Sequence, residues 1–143
     1  MYHYSLEHIQ TLKMRCFSAR LSMPGPFRFA TLEDLQACYN GIGPEAWAPA
    51  LRSIVTALLE RFEPEALIHD WEYMYQPKTY GHFIRANLRF AWNAFMCAAS
   101  TAADSSRKNL LLQTGAGIVL ALLCQLFGWQ AFQDTENHHQ QKG

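Results

Sequence analysis

The fold is decided by residues 63–75, which read EPEALIHDWEYMY. Proline suits the first turn of a helix and acidic residues suit its N-terminal end, so we predict that a helix begins at Glu63. Its apolar residues recur at helical spacing and predict one buried face, made of Leu67, Ile68, Trp71 and Tyr75. Pro77 ends this helix, because proline cannot continue one.

The remaining segments also show helical spacing, and none shows the alternation that is typical of a strand. Helices are predicted within residues 1–20, from Thr31 to near Asn40, over 49–61, from Thr79 through Ala99, and from a cap at Asp104, Ser105 or Ser106 onward. We therefore expect an all-α fold, a small helical domain with two long antiparallel core helices.

Met23-Pro24-Gly25-Pro26 is the clearest break in the chain, because prolines and glycines interrupt regular structure. The predicted organisation has three parts. They are a helical arm over residues 1–30, a helical domain over 31–133 that ends in an apolar helix, and a disordered tail over 134–143.

The composition fits one folded domain. The chain has 143 residues, 12 of them basic and 12 acidic, and half of its residues are hydrophobic, which excludes disorder. A nucleic-acid binder normally carries a strong basic excess, so we expect no nucleic-acid partner. The neutral total conceals eight acids and two bases over residues 33–72, followed by a basic segment over 73–108. The acidic segment is suited to attracting a cation, and the basic segment is suited to binding an anionic surface.

Four cysteines are spread along the chain, at Cys16, Cys38, Cys97 and Cys124. No pair has the spacing of a structural zinc site, and they are too sparse for a disulfide-stapled secreted module. The start of the sequence shows no signal-peptide pattern. We therefore expect reduced thiols and a cytoplasmic location in the producing cell, with association with a virion left open.

Residues 109–133 contain no charged side chain. The segment is long enough to cross a bilayer, but Gln113, Gln125, Gln130 and three glycines dilute it. A helix in the core or at an oligomer interface is favoured, while a membrane span and a helix on the membrane surface stay open. A homo-oligomer, if one forms, is expected to use this helix.

Residues 69–73 read HDWEY and combine a histidine with a carboxylate on one helix. His69 and Tyr73 are four positions apart and share a stripe, while Asp70 projects about 100° further round the axis. A general base and a carboxylate would then lie near each other without touching. This arrangement fits a histidine that activates water beside an aspartate that holds a metal.

Residues 39–44 read YNGIGP and form the second informative stretch. Glycines at alternate positions allow backbone carbonyls to turn toward one point. Calcium prefers six to eight oxygen ligands, many of them backbone carbonyls. The carbonyls of Tyr39, Gly41 and Gly43 with the carboxylate of Asp70 would form such a site, although the same glycines also suit a helix C-cap and a turn.

The order Tyr-x-Gly-x-Gly followed by His-Asp-x-x-Tyr resembles the calcium loop and catalytic helix of phospholipase A2. With few cysteines, the pattern is similar to the phospholipase A2 domain of parvovirus capsid proteins and to domains encoded by bacteriophages and prophages. The resemblance covers about residues 38–95. It implies a phospholipase A2-like helical fold, bound Ca²⁺, and hydrolysis of the sn-2 ester of glycerophospholipids at a membrane surface.

The resemblance also implies a role for each matching residue. His69 would deprotonate the attacking water, and Asp70 would bind calcium with the carbonyls of Tyr39, Gly41 and Gly43. Tyr73 would join the hydrogen-bond network behind the histidine. Calcium would polarise the ester carbonyl and stabilise the oxyanion.

Asn87 is the main departure from the family pattern, which places an aspartate on the next long helix to orient the histidine. Asn87 lies between Phe83 and Phe90 at helical spacing and is predicted to face inward. An amide oxygen can fix the histidine tautomer, but it cannot stabilise the imidazolium by charge. The alternative hypothesis is a catalytically impaired relative that acts as a phage structural or interaction protein.

Overall fold

A computed structural model of the chain describes residues 4–39, 62–101 and 107–140. Every regular element in these ranges is helical and none is a strand, so the predicted all-α class is confirmed. The helices are α1 (Leu6–Ser18), a 3-10 helix (Pro26–Phe29), α2 (Leu32–Cys38), α3 (Glu63–Tyr75), α4 (Tyr80–Thr101) and α5 (Arg107–Gln140). The predicted helix over 49–61, the cap at 104–106 and the glycines of the loop lie outside the described residues.

Local signals fix three of the helix starts where the sequence predicts them. The Thr31 hydroxyl accepts a hydrogen bond from the Asp34 backbone N–H at 3.1 Å, and the Asp34 carboxylate accepts one from the Thr31 N–H at 3.3 Å. This reciprocal capping box begins α2. Pro64 occupies the first turn of α3. The Thr79 hydroxyl accepts from the His82 N–H at 3.3 Å and begins α4.

The main hydrophobic core joins the first part of the chain to α3. Ile9 and Leu12 of α1 are fully buried in the same cluster as Leu67 and Ile68 of α3. Phe27 of the 3-10 helix is also fully buried there. Helix α5 continues through Gln140, beyond residue 133, and the predicted division of the chain at residues 30 and 133 stays a prediction.

Two hydrogen bonds fasten the segment after α1 to the middle of α4. The backbone N–H of Ser22 donates to Asn93 Oδ1, and Asn93 Nδ2 donates to the Ser22 carbonyl, both at 2.8 Å. Asn93 is fully buried, so these two bonds satisfy an amide that has no access to water. We call this pair the Ser22–Asn93 clasp.

Helix α5 packs closely on α4 because a glycine lies at the contact. A Cβ atom built on Gly117 would lie 2.5 Å from the Cβ of Ala94, a separation that real Cβ atoms essentially never show. The neighbouring Gly115 has open space around the same position. The glycines of this uncharged segment therefore differ in role, and Gly117 sets the distance between the two helices.

No helix in the described part of the chain is long and apolar enough to cross a membrane. Helix α5 nevertheless exposes four large apolar side chains, which are Ile118, Val119, Leu122 and Leu126.

We expect Gly117→Ala to lower the free energy of unfolding by about 1–3 kcal/mol, because the added methyl group forces α5 away from Ala94. Gly115→Ala is the matched control and should raise the free energy of unfolding by up to about 1 kcal/mol, since alanine favours helix. Urea denaturation of the two variants measures both values. Equal effects of the two substitutions would contradict close packing at Gly117.

Candidate functional site

A buried hydrogen-bond network connects α3, α4 and α5 around Asn87. His69 Nε2 lies 2.9 Å from Asn87 Oδ1, and the Tyr73 hydroxyl donates to the same oxygen at 2.9 Å. Asn87 Nδ2 donates to Gln125 Oε1 at 2.9 Å. Since an amide oxygen can only accept, His69 Nε2 carries a proton, and Nδ1 is the nitrogen that holds the lone pair when the imidazole is neutral.

Helix geometry explains how the three helices present these groups. His69 and Tyr73 are separated by one turn of α3, and their rings are in contact, with centroids 4.0 Å apart. Asn87 lies between Phe83 and Phe90 on the buried face of α4. The structure therefore brings together the three side chains for which the sequence suggests catalytic roles.

His69 itself is only 8% exposed. The Phe90 ring stands edge-on to the imidazole, with centroids 5.4 Å apart. An apolar wall on one side and a hydrogen-bonded amide on another hold the imidazole in one orientation, which is what a general base requires.

Asp70 lies on the Nδ1 side of the imidazole. Its Oδ1 atom is 3.6 Å from His69 Nδ1. The Asp70 charge also acts on Tyr39. Burial raises the pKa of the Tyr39 hydroxyl most, and neighbouring negative charges, among them Glu63 and Asp70, raise that pKa further. Tyr39 ends α2, so the described end of the predicted calcium loop lies in the electrostatic environment of Asp70.

The predicted metal ligands are only partly covered by the structure. Gly41 and Gly43 lie outside the described residues. Within the described ranges no three His, Cys, Asp or Glu side chains cluster in a way that could hold a metal. The site suggested by the sequence has a different composition, one carboxylate with backbone carbonyls, and the hard oxygen donors of Asp70 and Tyr39 fit Ca²⁺ by their chemistry.

Two residues of α5, Cys124 and Gln125, belong to the network and were not among the predicted site residues. Gln125 accepts from Asn87, and the Cys124 thiol is a hydrogen-bonding neighbour of His69. The sequence gives only a weak indication of their role. They are a cysteine followed by a glutamine in a largely apolar segment. Such a segment does not show which face will be buried.

Charges around His69 determine its proton affinity. Burial lowers the pKa of His69, but the Cys124 thiol and the Asp70 carboxylate outweigh burial and raise the pKa to about 10. The Tyr73 hydroxyl has a pKa raised by burial and by Cys124. The proton on the imidazole is therefore held from the Nδ1 side by Asp70, while the neutral Asn87 amide lies at Nε2.

A buried ion pair lies beside this network and fixes α3 against α4. Arg89 Nη1 is 3.4 Å from Glu72 Oε1, and Glu72 is almost fully buried. Burial raises the pKa of Glu72, while the charges of Arg89 and His69 lower it. Removing either partner would leave an uncompensated charge next to the histidine.

Neither the protein-family models nor the curated proteins nor the solved structures include a match to this chain. Its function therefore has to be inferred from the geometry and chemistry of the site.

We expect the stabilising effect of His69 to depend on pH. Because the folded state raises the pKa of His69 from 6.5 to about 10, its contribution is fully present below pH 6.5 and is lost as pH rises through about 10. The difference in free energy of unfolding between the wild type and His69→Gln should therefore fall over this window.

Urea denaturation at a series of pH values measures this difference. Cys124→Ser should make the fall smaller, because it removes one of the groups that hold the proton. A difference that stays constant from pH 6.5 to about 10 would contradict a raised pKa of His69.

Proposed function

We propose that the protein is a calcium-dependent phospholipase A2-like esterase of phage or prophage origin, which hydrolyses the sn-2 ester of glycerophospholipids. The observation that carries this proposal is the 2.9 Å contact between His69 Nε2 and Asn87 Oδ1. It orients an imidazole through a partner on the next helix, as the motif resemblance implies. The proposed substrate is a phospholipid at a membrane surface.

In the proposed reaction His69 is the general base. Because Nε2 donates to Asn87, the neutral imidazole has its lone pair at Nδ1 and takes the proton of the attacking water there. The raised pKa of His69 keeps nearly all of the imidazole protonated at neutral pH in the absence of calcium. Neutralising the Asp70 carboxylate would remove one of the causes of that raised pKa and free more of the base.

Calcium would be held by the Asp70 carboxylate and by the carbonyls of Tyr39, Gly41 and Gly43. When bound, it supplies a positive charge that polarises the ester carbonyl and stabilises the oxyanion. Asn87 keeps the His69 ring and tautomer in place, and Tyr73 supports the Asn87 oxygen with its own hydrogen bond. Asn87 cannot stabilise the imidazolium by charge as the aspartate of the family pattern does.

The proposed phospholipase A2-like arrangement includes two long antiparallel core helices. Contacts between α4 and α5 support it. Ala94 is near Gly117, Asn87 bonds to Gln125, and Phe83 contacts Phe132 at a centroid distance of 5.6 Å. Residue numbers fall along α4 as they rise along α5, which is the contact pattern of two antiparallel helices.

The decisive experiment measures fatty-acid release from mixed phospholipid micelles with calcium and with EDTA. We expect release only with calcium, a rate that rises with pH as His69 deprotonates, and a loss of at least about 100-fold in His69→Gln. At a pH high enough to deprotonate His69, Asn87→Asp should raise the rate about tenfold or more, because a carboxylate stabilises the imidazolium.

His82→Gln serves as the matched control. His82 lies at the start of α4 and hydrogen-bonds with Thr79, away from the network, so its replacement should leave the rate unchanged. Absence of calcium-dependent release by the wild type would end the esterase proposal.

The second candidate is the non-catalytic relative, a structural or interaction protein on the same scaffold. Two observations favour it. His69 is 8% exposed with the Cys124 thiol against it, and α5 exposes a row of apolar side chains. On this proposal the row would form a contact between copies of the chain.

Light scattering of the purified chain tests this second candidate. We expect a mass above that of one chain, and a shift to the monomer mass in Leu122→Glu with Leu126→Glu, because charge on the exposed row opposes association. Leu88→Glu, at an exposed leucine of α4 outside this row, is the control and should leave the mass unchanged. A monomeric wild type would contradict the oligomer.

A further inference from the structure

A groove of about 480 Å³ opens between the 3-10 helix, α2 and α3. Its lining consists of Pro26, Phe29, Ala30, Asp34, Trp71 and Tyr75. Three aromatic rings and one carboxylate thus come from three different elements and converge on one space.

The aromatic walls differ in exposure. Phe29 is 86% exposed, which is unusual for a phenylalanine, while Trp71 is 6% exposed. Phe27 meets Trp71 edge-on, with ring centroids 5.8 Å apart, and holds the indole in place. Trp71 and Tyr75 are one helical turn apart, and their ring centroids are separated by 5.5 Å. The groove therefore has a rigid floor and one exposed wall.

Asp34 supplies the charge of the groove. Thr31 donates to its Oδ2 atom from both the hydroxyl, at 2.8 Å, and the backbone N–H, so the carboxylate is fixed. Burial raises the pKa of Tyr75, and the Asp34 charge raises it further, which places that negative charge beside the aromatic wall. Among the described residues, none that lines the groove carries a positive charge.

Two basic residues lie near the groove without lining it. Arg28 precedes Phe29 in the 3-10 helix, and the Lys13 ammonium donates to the Ala30 carbonyl at 2.6 Å. The positive charge of Lys13 opposes the binding of a cation in the groove. Replacing Lys13 should therefore strengthen binding, whereas replacing Phe29 or Asp34 should weaken it.

Aromatic faces attract cations through their quadrupole, and a neighbouring carboxylate adds Coulomb attraction. A small, strongly hydrated cation would lose its water against apolar walls, whereas a methylated ammonium is weakly hydrated and packs against rings. We propose that this groove binds a quaternary ammonium group, either as a free cation or as the headgroup of a lipid.

The proposed site is separate from the His69 network. His69 and Trp71 are two residues apart on α3, so their side chains point about 200° apart around the helix axis. Binding in the groove consequently does not depend on the esterase proposal, and His69→Gln should bind the same ligands as the wild type.

Calorimetric titration of the full chain with tetramethylammonium and with choline tests the proposal at constant ionic strength. We expect saturable binding with a Kd of about 1–10 mM and no binding of the uncharged dimethylbutanol analogue of choline. Phe29→Ala should weaken binding about three- to tenfold, and this exposed side chain can be removed without loss of the core.

Asp34→Asn should weaken binding by a similar factor, while its amide oxygen can still accept from Thr31. Glu33→Gln, an exposed acid next to Asp34 and outside the lining, is the matched control and should leave the Kd unchanged. Lys13→Gln should tighten binding about twofold.

Vesicles separate the two sources of the ligand. Retention on phosphatidylcholine vesicles but not on phosphatidylglycerol vesicles, lost in Phe29→Ala, would assign the groove to a lipid headgroup. Binding of choline without retention on vesicles would assign it to a free cation. Absence of saturable tetramethylammonium binding at about 50 mM, equal binding of the uncharged analogue, or an unchanged Kd in Phe29→Ala would each overturn the proposal.

Discussion

The carboxamide of Asn87 is the interaction on which the arrangement of α3, α4 and α5 depends. Its oxygen accepts from His69 and Tyr73, and its nitrogen donates to Gln125. A buried polar group that loses such a partner costs about 1–3 kcal/mol, so a shift of any one helix breaks a bond that water cannot replace. Hydrophobic packing alone would tolerate sliding, whereas three directed hydrogen bonds favour one register. The same bonds orient the imidazole, which links the stability of the core to the geometry of the candidate site.

The sequence predicts those parts of the fold that depend on local interactions. Thr31 and Thr79 cap helices where their hydroxyls meet nearby N–H groups, and the position of Asn87 between Phe83 and Phe90 places it inward. The uncharged part of helix α5 is different because its apolar residues do not follow a single helical face, so its pattern does not indicate that Gln125 turns toward Asn87. In the sequence the glycines only make that segment less apolar. In the structure Gly117 allows α5 to contact Ala94 of α4 closely. Such information is not contained in any short stretch of the chain.

The electrostatics of His69 also differ from what the motif alone suggests. The family pattern stabilises the imidazolium with a carboxylate behind Nε2, and here a neutral amide occupies that position. Negative charge instead comes from Asp70 at the Nδ1 side, and the Cys124 side chain is a hydrogen-bonding neighbour of the imidazole. The two nitrogens of the imidazole therefore have different surroundings, a neutral amide at Nε2 and a carboxylate near Nδ1. In this arrangement, orientation and charge stabilisation of one histidine are divided between different helices.

The Ser22–Asn93 clasp has a consequence for how the chain acquires its native state. Its two bonds join residues 71 positions apart, so closing that long loop costs entropy that local helix formation does not. Until the segment after α1 packs against α4, the Asn93 amide has to hydrogen-bond to water instead of to Ser22. The segment after α1 thus covers this part of α4 and excludes water from it. A ribosome-bound chain, which presents its N-terminal residues first, cannot close the clasp until α4 has been synthesised.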